Sequence, residues 1–166
     1  ALRTYLESLG LDQQRVEKAV VAGNGLMAVQ LRKALKRWVD DVSLVDRDAV
    51  HGLSAAESLD GIDVIHGDPT ERDVLGEVNV AGADIYVGAG EETTHNVMGA
   101  LLARSEGASE VFAISYEPGS NRLFRELGVH QVISPRRAMA QTIMDILEHG
   151  HGVVELQLRD MELESV

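Results

Sequence analysis

Short, almost wholly apolar runs alternate with amphipathic stretches along most of this chain, and that alternation leaves few folds open. Lys18 to Ala22 (KAVVA), Val42 to Val45, Ile62 to His66, Ala83 to Gly88 (ADIYVG), Val111 to Ser115 and Gln131 to Ser134 read as strands. They are apolar nearly throughout, as strands are when both faces of a sheet are covered. Helical stretches separate them. Leu26 to Trp38 carries Met27, Leu31, Ala34, Leu35 and Trp38 at helical spacing, and Ala49 to Leu59 is stopped by Gly61. Asp68-Pro69-Thr70 opens the next helix, with Thr70 as its expected N-cap and Asp73 three residues on. Thr94 to Ser105 closes at Gly107, Ser120 to Leu127 closes at Gly128, and a last helix runs from Pro135 or Arg136 to Glu148. This order predicts an α/β fold: a Rossmann-like, doubly wound, parallel six-stranded sheet with helices on both faces. The domain is expected over residues 15–150. Residues 1–14 read as a lead-in helix or linker, and residues 151–166, with strand-like Val153 to Leu158, as the start of a following unit.

Composition then removes whole classes of function. Cysteine is absent, which excludes a disulfide scaffold, thiol catalysis and Cys-based zinc sites. The formal net charge of −12 sets the chain against nucleic acid, whose phosphates it would repel. No apolar run approaches the ~20 residues that a membrane-spanning helix needs. The stretch from Ala1 to Gly10 is amphipathic and carries Arg3 and Glu7, unlike a signal peptide. Lysine occurs only at positions 18, 33 and 36. An acidic, lysine-poor surface suits a salt-loving source, the alternative being the compositional bias of a GC-rich genome.

The chemistry concentrates at the end of the first strand. Gly23-Asn24-Gly25-Leu26-Met27-Ala28 is a G-x-G-x-x-A loop followed at once by a helix. Gly23 permits the tight turn, Gly25 lets the backbone close on a pyrophosphate, and Ala28 lets the helix lie near the sheet. The phosphates would sit at the helix N-terminus, where free N–H groups and the helix dipole favour negative charge. Asp46 stands 21 residues after Gly25, at the end of the second strand. An acid there accepts from a ribose 2′-OH and repels a 2′-phosphate, which favours NAD(H) or an adenine nucleotide over NADP; Arg47, next to it, softens that discrimination. An ordinary strand-to-helix turn is the competing account of the glycines, but with strand, helix and Asp46 all in place nucleotide binding is the favoured one.

Catalytic groups are scarce. There is no G-x-x-x-x-G-K-[ST] loop, no lysine after Lys36 and no Tyr-x-x-x-Lys. The six histidines (51, 66, 95, 130, 149 and 151) are scattered. His149 and His151 read as a helix-ending loop before they read as metal ligands. His66, Glu91 and Glu92 fall on the ligand side of such a sheet; His66 reads as a packing or adenine-edge residue before a general base, and the two glutamates as a solvated loop before a pair that binds a cation or tunes a ligand.

The segments VVAGNGLMA with VDRD, VIHGDPTERDVL, ADIYVGAG with Asn96 downstream, and GVHQVISPRRAM together resemble the TrkA-N/RCK family, over about Arg15 to Gly150. Its members are regulatory nucleotide-binding domains of Trk and Ktr potassium transporters and of many potassium channels. The resemblance implies a cytoplasmic domain, peripheral to the inner face of the membrane through its partner. It implies binding of NAD(H) first, with ATP or ADP as the alternative, and gating of a membrane-embedded potassium transporter or channel subunit without turnover. It implies a homodimer or larger ring, with the helix after Ser134-Pro135 crossing to a neighbour. It places phosphates on Gly23, Gly25 and Ala28, the ribose on Asp46, and the adenine side near Asp68, with Gly90 and Asn96 on the loop after the fourth strand. Where the family commonly has D-E-x-N, this chain has Thr93-Thr94-His95-Asn96, keeping only Asn96. A small NAD-dependent oxidoreductase, or its cofactor half, is the competing reading, and a module gating another transporter, such as an antiporter, is a third.

If the acidic surface is an adaptation to brine, the midpoint of thermal unfolding will rise steeply between low and molar salt. Screening acts over ~3 Å at 1 M against ~10 Å at 0.1 M. A midpoint indifferent to salt would reduce the charge balance to composition alone.

Overall fold

The computed structural model describes residues 16–23, 25–47, 63–117 and 119–149. Six strands, β1 (Lys18–Ala22), β2 (Asp41–Asp46), β3 (Asp63–His66), β4 (Ile85–Gly88), β5 (Glu110–Ile114) and β6 (Gln131–Ile133), form one sheet in the order β3-β2-β1-β4-β5-β6. Every neighbouring pair is parallel. The strand order reverses between β1 and β4, which pair from Ala19 with Ile85 to Ala22 with Gly88. The doubly wound α/β reading of the sequence therefore holds, and the reversal opens a crevice at the carboxyl ends of these two strands.

Five helices are described: α1 (Leu26–Leu35), α2 (Arg72–Glu77), α3 (Thr93–Ser105), α4 (Asn121–Leu127) and α5 (Pro135–His149), with a 3-10 turn at Val80–Gly82. The strands alternate their side chains between two cores. Val20, Ala22, Val45, Tyr86 and Val111 pack with Leu75 and Val78 near α2 and with Val97, Ala100 and Ala103 of α3. Ala19, Val21, Leu44 and Val87 pack on the other face with Ala28, Leu31 and Leu35 of α1. At its far end α3 is tied to the next layer, since Arg104 Nη1 donates to the Gly128 carbonyl at 2.6 Å. Gly128, with φ +119°, ends α4 in a left-handed conformation that suits glycine.

Three local expectations need correction. Helix α1 stops at Leu35, and its buried face is Ala28 and Arg32 with the partly buried Leu31 and Leu35. Met27, Ala34 and Trp38, expected in the apolar stripe, are exposed, Trp38 to 68%. The close approach at Ala28 sets the rotation of the helix, and hydrophobic periodicity yields to it. Thr70 does not cap α2, which begins at Arg72 after Glu71. The Thr70 N–H and hydroxyl both donate instead to Asp68 Oδ1, at 2.9 and 2.7 Å, closing an Asx-type turn.

The lead-in at 1–14, the helix expected at Ala49 to Leu59 and the strand expected at Val153 to Leu158 lie outside the described residues. Among the described residues no helix is long and apolar enough to cross a membrane.

Candidate functional site

A cleft of about 270 Å³ opens at the crevice between β1 and β4. Its floor is Ala22, Gly23, Val45, Tyr86 and Gly88; Asp46 and Arg47 stand on one wall, and Gly90, Glu91, Glu92, His95 and Asn96 on the other. The turn after β1 runs hard against the turn after β4. Gly23 has φ +136°, and a Cβ there would overlap the Gly90 amide nitrogen and come within 2.7 Å of the Ala89 carbonyl carbon. Any other residue would push the two turns apart. Gly25 precedes α1 with extended backbone and no side-chain cap. Ala28 is fully buried against the sheet. Leu26 and Met27 are exposed on the helix surface and do not line the cleft. Asn24 lies outside the described residues.

Asn96 is buried, and both ends of its amide are used within the chain. Its Oδ1 accepts from Gly90 N at 2.8 Å, and its Nδ2 donates to Gly90 O at 2.8 Å and Ile114 O at 2.9 Å. It clamps the loop after β4 to α3 and to the end of β5. Thr93, also buried, accepts the Tyr116 N–H at 3.0 Å, a second tie between α3 and the β5 side. Gly90 has little room of its own, since a Cβ would stand 3.1 Å from Asn96 Oδ1.

Asp46 is 2% exposed and lines the cleft. Arg32, within reach of its charge, is fully buried, with no hydrogen-bond partner for its guanidinium nitrogens among the described residues. Burial weakens the hold of Arg32 on its proton, and the negative charge of Asp46 opposes that effect. Asp68 stands behind the cleft wall. Its Oδ2 is 3.6 Å from Arg47 Nη1 and 3.3 Å from His95 Nε2. His95 Nε2 is also 3.0 Å from Arg47 Nη1, and its Nδ1 is 3.6 Å from Glu92 Oε2. A single ring nitrogen cannot accept from Arg47 and donate to Asp68 at once, so the tautomer of His95 selects its partner. These residues join β2, the turn before α2 and the first turn of α3 across one rim.

Tyr86, Arg32 and His95 carry no role in the sequence pattern alone. Tyr86 is a lone aromatic in an aliphatic strand, and that oddity was its only signal. Its hydroxyl is buried without a hydrogen-bond partner among the described residues, and a Cβ on Gly99 would collide with it. Burial, and secondarily the charge of Asp68, push its ionisation up. His66 is exposed at the end of β3, where its Nδ1 lies 3.1 Å from Asp46 O. Among the described residues no group of three or more His, Asp or Glu could hold a metal ion.

The family model of the TrkA-N domain matches residues 19–135. The chain belongs to the TrkA-N family. It is 28% identical over 155 residues to a Trk system potassium uptake protein TrkA homolog of Methanothermobacter thermautotrophicus, covering 88% of this chain and 70% of that protein. It spans only 31% of the TrkA protein of Azorhizobium caulinodans, to which it is 25% identical over 146 residues, or 87% of this chain. Among solved structures, the GsuK channel bound to NAD shares the fold of this TrkA-N domain with a TM-score of 0.59 and 23% identity, covering 80% of this chain and 27% of that one.

The Asp68 cluster makes a pH prediction. Burial alone would raise the Asp68 carboxyl, but hydrogen bonds from the Thr70 side chain and backbone and from His95 outweigh it and lower it from 3.8 to about 2. The folded-state value lies below the unfolded one, so the stability Asp68 contributes is present above about pH 4 and lost as pH falls toward 2. Melting curves should show that loss in the parent chain, and Asp68→Asn should be less stable at neutral pH with a flatter profile over this range. Parallel profiles would refute the assignment.

Proposed function

We propose that this chain is the nucleotide-sensing regulatory domain of a potassium transporter or channel, taking NAD(H) first and ATP or ADP as the alternative, and turning neither over. The observation that carries this reading is the contact of Gly23 with the turn after β4, made where the sheet reverses and with Asp46 buried on the facing wall. A nucleotide laid across that point would direct its phosphates to Gly25 and the start of α1, and its ribose to Asp46. Asp68, Arg47 and His95 would bound the adenine side. Asn96 acts here by shaping the loop at Gly90, since its amide is already bonded within the chain. The membership in the TrkA-N family and the potassium-uptake relatives supply the transport context.

An oxidoreductase would need a proton donor or acceptor facing the bound ligand. Tyr86 is buried and shifted away from easy ionisation. His95 is held among Arg47, Asp68 and Glu92. Both favour binding without turnover.

Regulation of a membrane partner requires that a local change be passed on, and a symmetric assembly is the common device. Helix α5 presents Met139, Ile143, Met144 and Leu147 as exposed apolar side chains, with Ile133 of β6 exposed nearby in sequence. A stripe of this extent on one helix marks an interaction surface. The assembly proposed is a homodimer or larger ring built through α5, docked at the cytoplasmic side of a membrane-embedded partner.

Two measurements test these statements. Titrations should show NAD(H) binding more tightly than NADP(H), by about five- to tenfold for one added phosphate charge set beside Asp46, with Asp46→Ala narrowing the gap. Equal affinities would remove the ribose role of Asp46. Sedimentation should show a dimer or larger species, weakened by Ile143→Asp or Met144→Asp with nucleotide binding kept; a monomer at tens of micromolar protein and high salt would defeat the assembly.

A further inference from the structure

The proposed phosphate seat lies in an acidic setting. Helix α1 opens without a side-chain cap or an acid in its first turn, so its free N–H groups and dipole form the positive end of the cleft. Around it stand Asp46, Glu91 and Glu92. The one arginine of the lining, Arg47, is already drawn to Asp68 and His95. Glu92 is near His95, whereas Glu91 makes no hydrogen bond or ion pair among the described residues. Yet Glu91 lies over Gly25. A Cβ built on that glycine would be 3.4 Å from Glu91 Cγ and 3.7 Å from Oε1. The carboxylate thus lies beside the helix end, within van der Waals reach of where a side chain on Gly25 would begin.

We propose that Glu91 is a tethered anion that competes with ligand phosphate for the start of α1. It thereby selects ligands by phosphate charge, favouring NAD(H) over ADP and ADP over ATP. This rests on the nucleotide reading given above. No bond breaks when Glu91 moves. The cost is electrostatic: the carboxylate leaves a favourable dipole and remains beside the incoming phosphates. The backbone cannot retreat to relieve it, because Asn96 fixes Gly90 on both its N–H and its carbonyl. A ligand with a single bridging pyrophosphate meets this repulsion least, and one ending in a triphosphate meets it most.

The test is calorimetric titration of NAD+, ADP and ATP, with EDTA present, into the full chain and into Glu91→Gln. At low salt the variant should bind ATP about fivefold more tightly or better, ADP with a smaller gain and NAD+ with the least, and all three gains should shrink in molar salt. Glu77→Gln removes the same charge from the exposed end of α2 and should produce no such graded order. Equal gains for the three ligands, or binding unchanged by Glu91→Gln, would overturn the role of Glu91 and leave nucleotide binding standing. Failure of every nucleotide to bind either protein would overturn the nucleotide reading itself, and the inference with it.

Discussion

The carboxyl edge of this sheet depends on how closely the turn after β1 approaches the turn after β4. Parallel pairing brings Ala22 beside Gly88, and the Ala89 N–H continues the ladder to Ala22 O at 2.7 Å. Gly23 N–H then turns the other way, to Val45 O at 2.9 Å, so one turn is bonded to strands on both sides. Such an approach tolerates no side chain at Gly23. It tolerates none at Gly88 either, where a Cβ would stand 2.5 Å from the Asn96 carbonyl oxygen. The two glycines let backbone meet backbone, and Asn96 keeps the contact from opening by bonding Gly90 twice. The floor of the cleft is thus backbone bonded to strands on both sides.

Much of this was legible in the sequence. All six strands stand where the apolar runs placed them, to within a residue or two, because strands covered on both faces leave a plain signal. A doubly wound sheet was expected, and the structure puts the reversal of strand order between β1 and β4, beside the glycine loop. Less legible was whatever depended on the rotation of one element against another. The stripe through Met27, Ala34 and Trp38 was a fair helical pattern, but contact at Ala28 turned another face inward and carried Arg32 into the interior. Thr70 had the chemistry of a cap, yet Asp68, two residues earlier, offered its N–H a closer acceptor. The joining of Arg47, Asp68 and His95 could not be read at all, since those residues are brought together by three separate elements.

The cleft is also a compromise between two demands on charge. A phosphate site ordinarily gathers cations, while this chain carries an excess of acid and keeps its lysines at positions 18, 33 and 36. In the proposed phosphate site, attraction for an anion would then fall to backbone N–H groups and the dipole of α1, neither of which adds a formal charge. Arg32 is the exception in kind. Its guanidinium is buried within reach of Asp46, away from the cleft lining, where it offsets the charge of a buried carboxylate.

Helix α3 joins both themes, because neighbouring residues of its first turn hold different parts of the sheet. Asn96 grips the β4 loop and the end of β5, while His95 reaches toward Arg47 and Asp68. Its 13 residues extend about 20 Å at 1.5 Å per residue. At the other end Arg104 holds the Gly128 carbonyl, the corner from which β6 and then α5 depart. The helix therefore spans the distance from the cleft rim to that corner and is bonded at both ends. Over that length, a change of about 5° in the helix angle would correspond to a displacement of about 2 Å at the corner. The helix that presents the exposed apolar stripe begins seven residues after that corner.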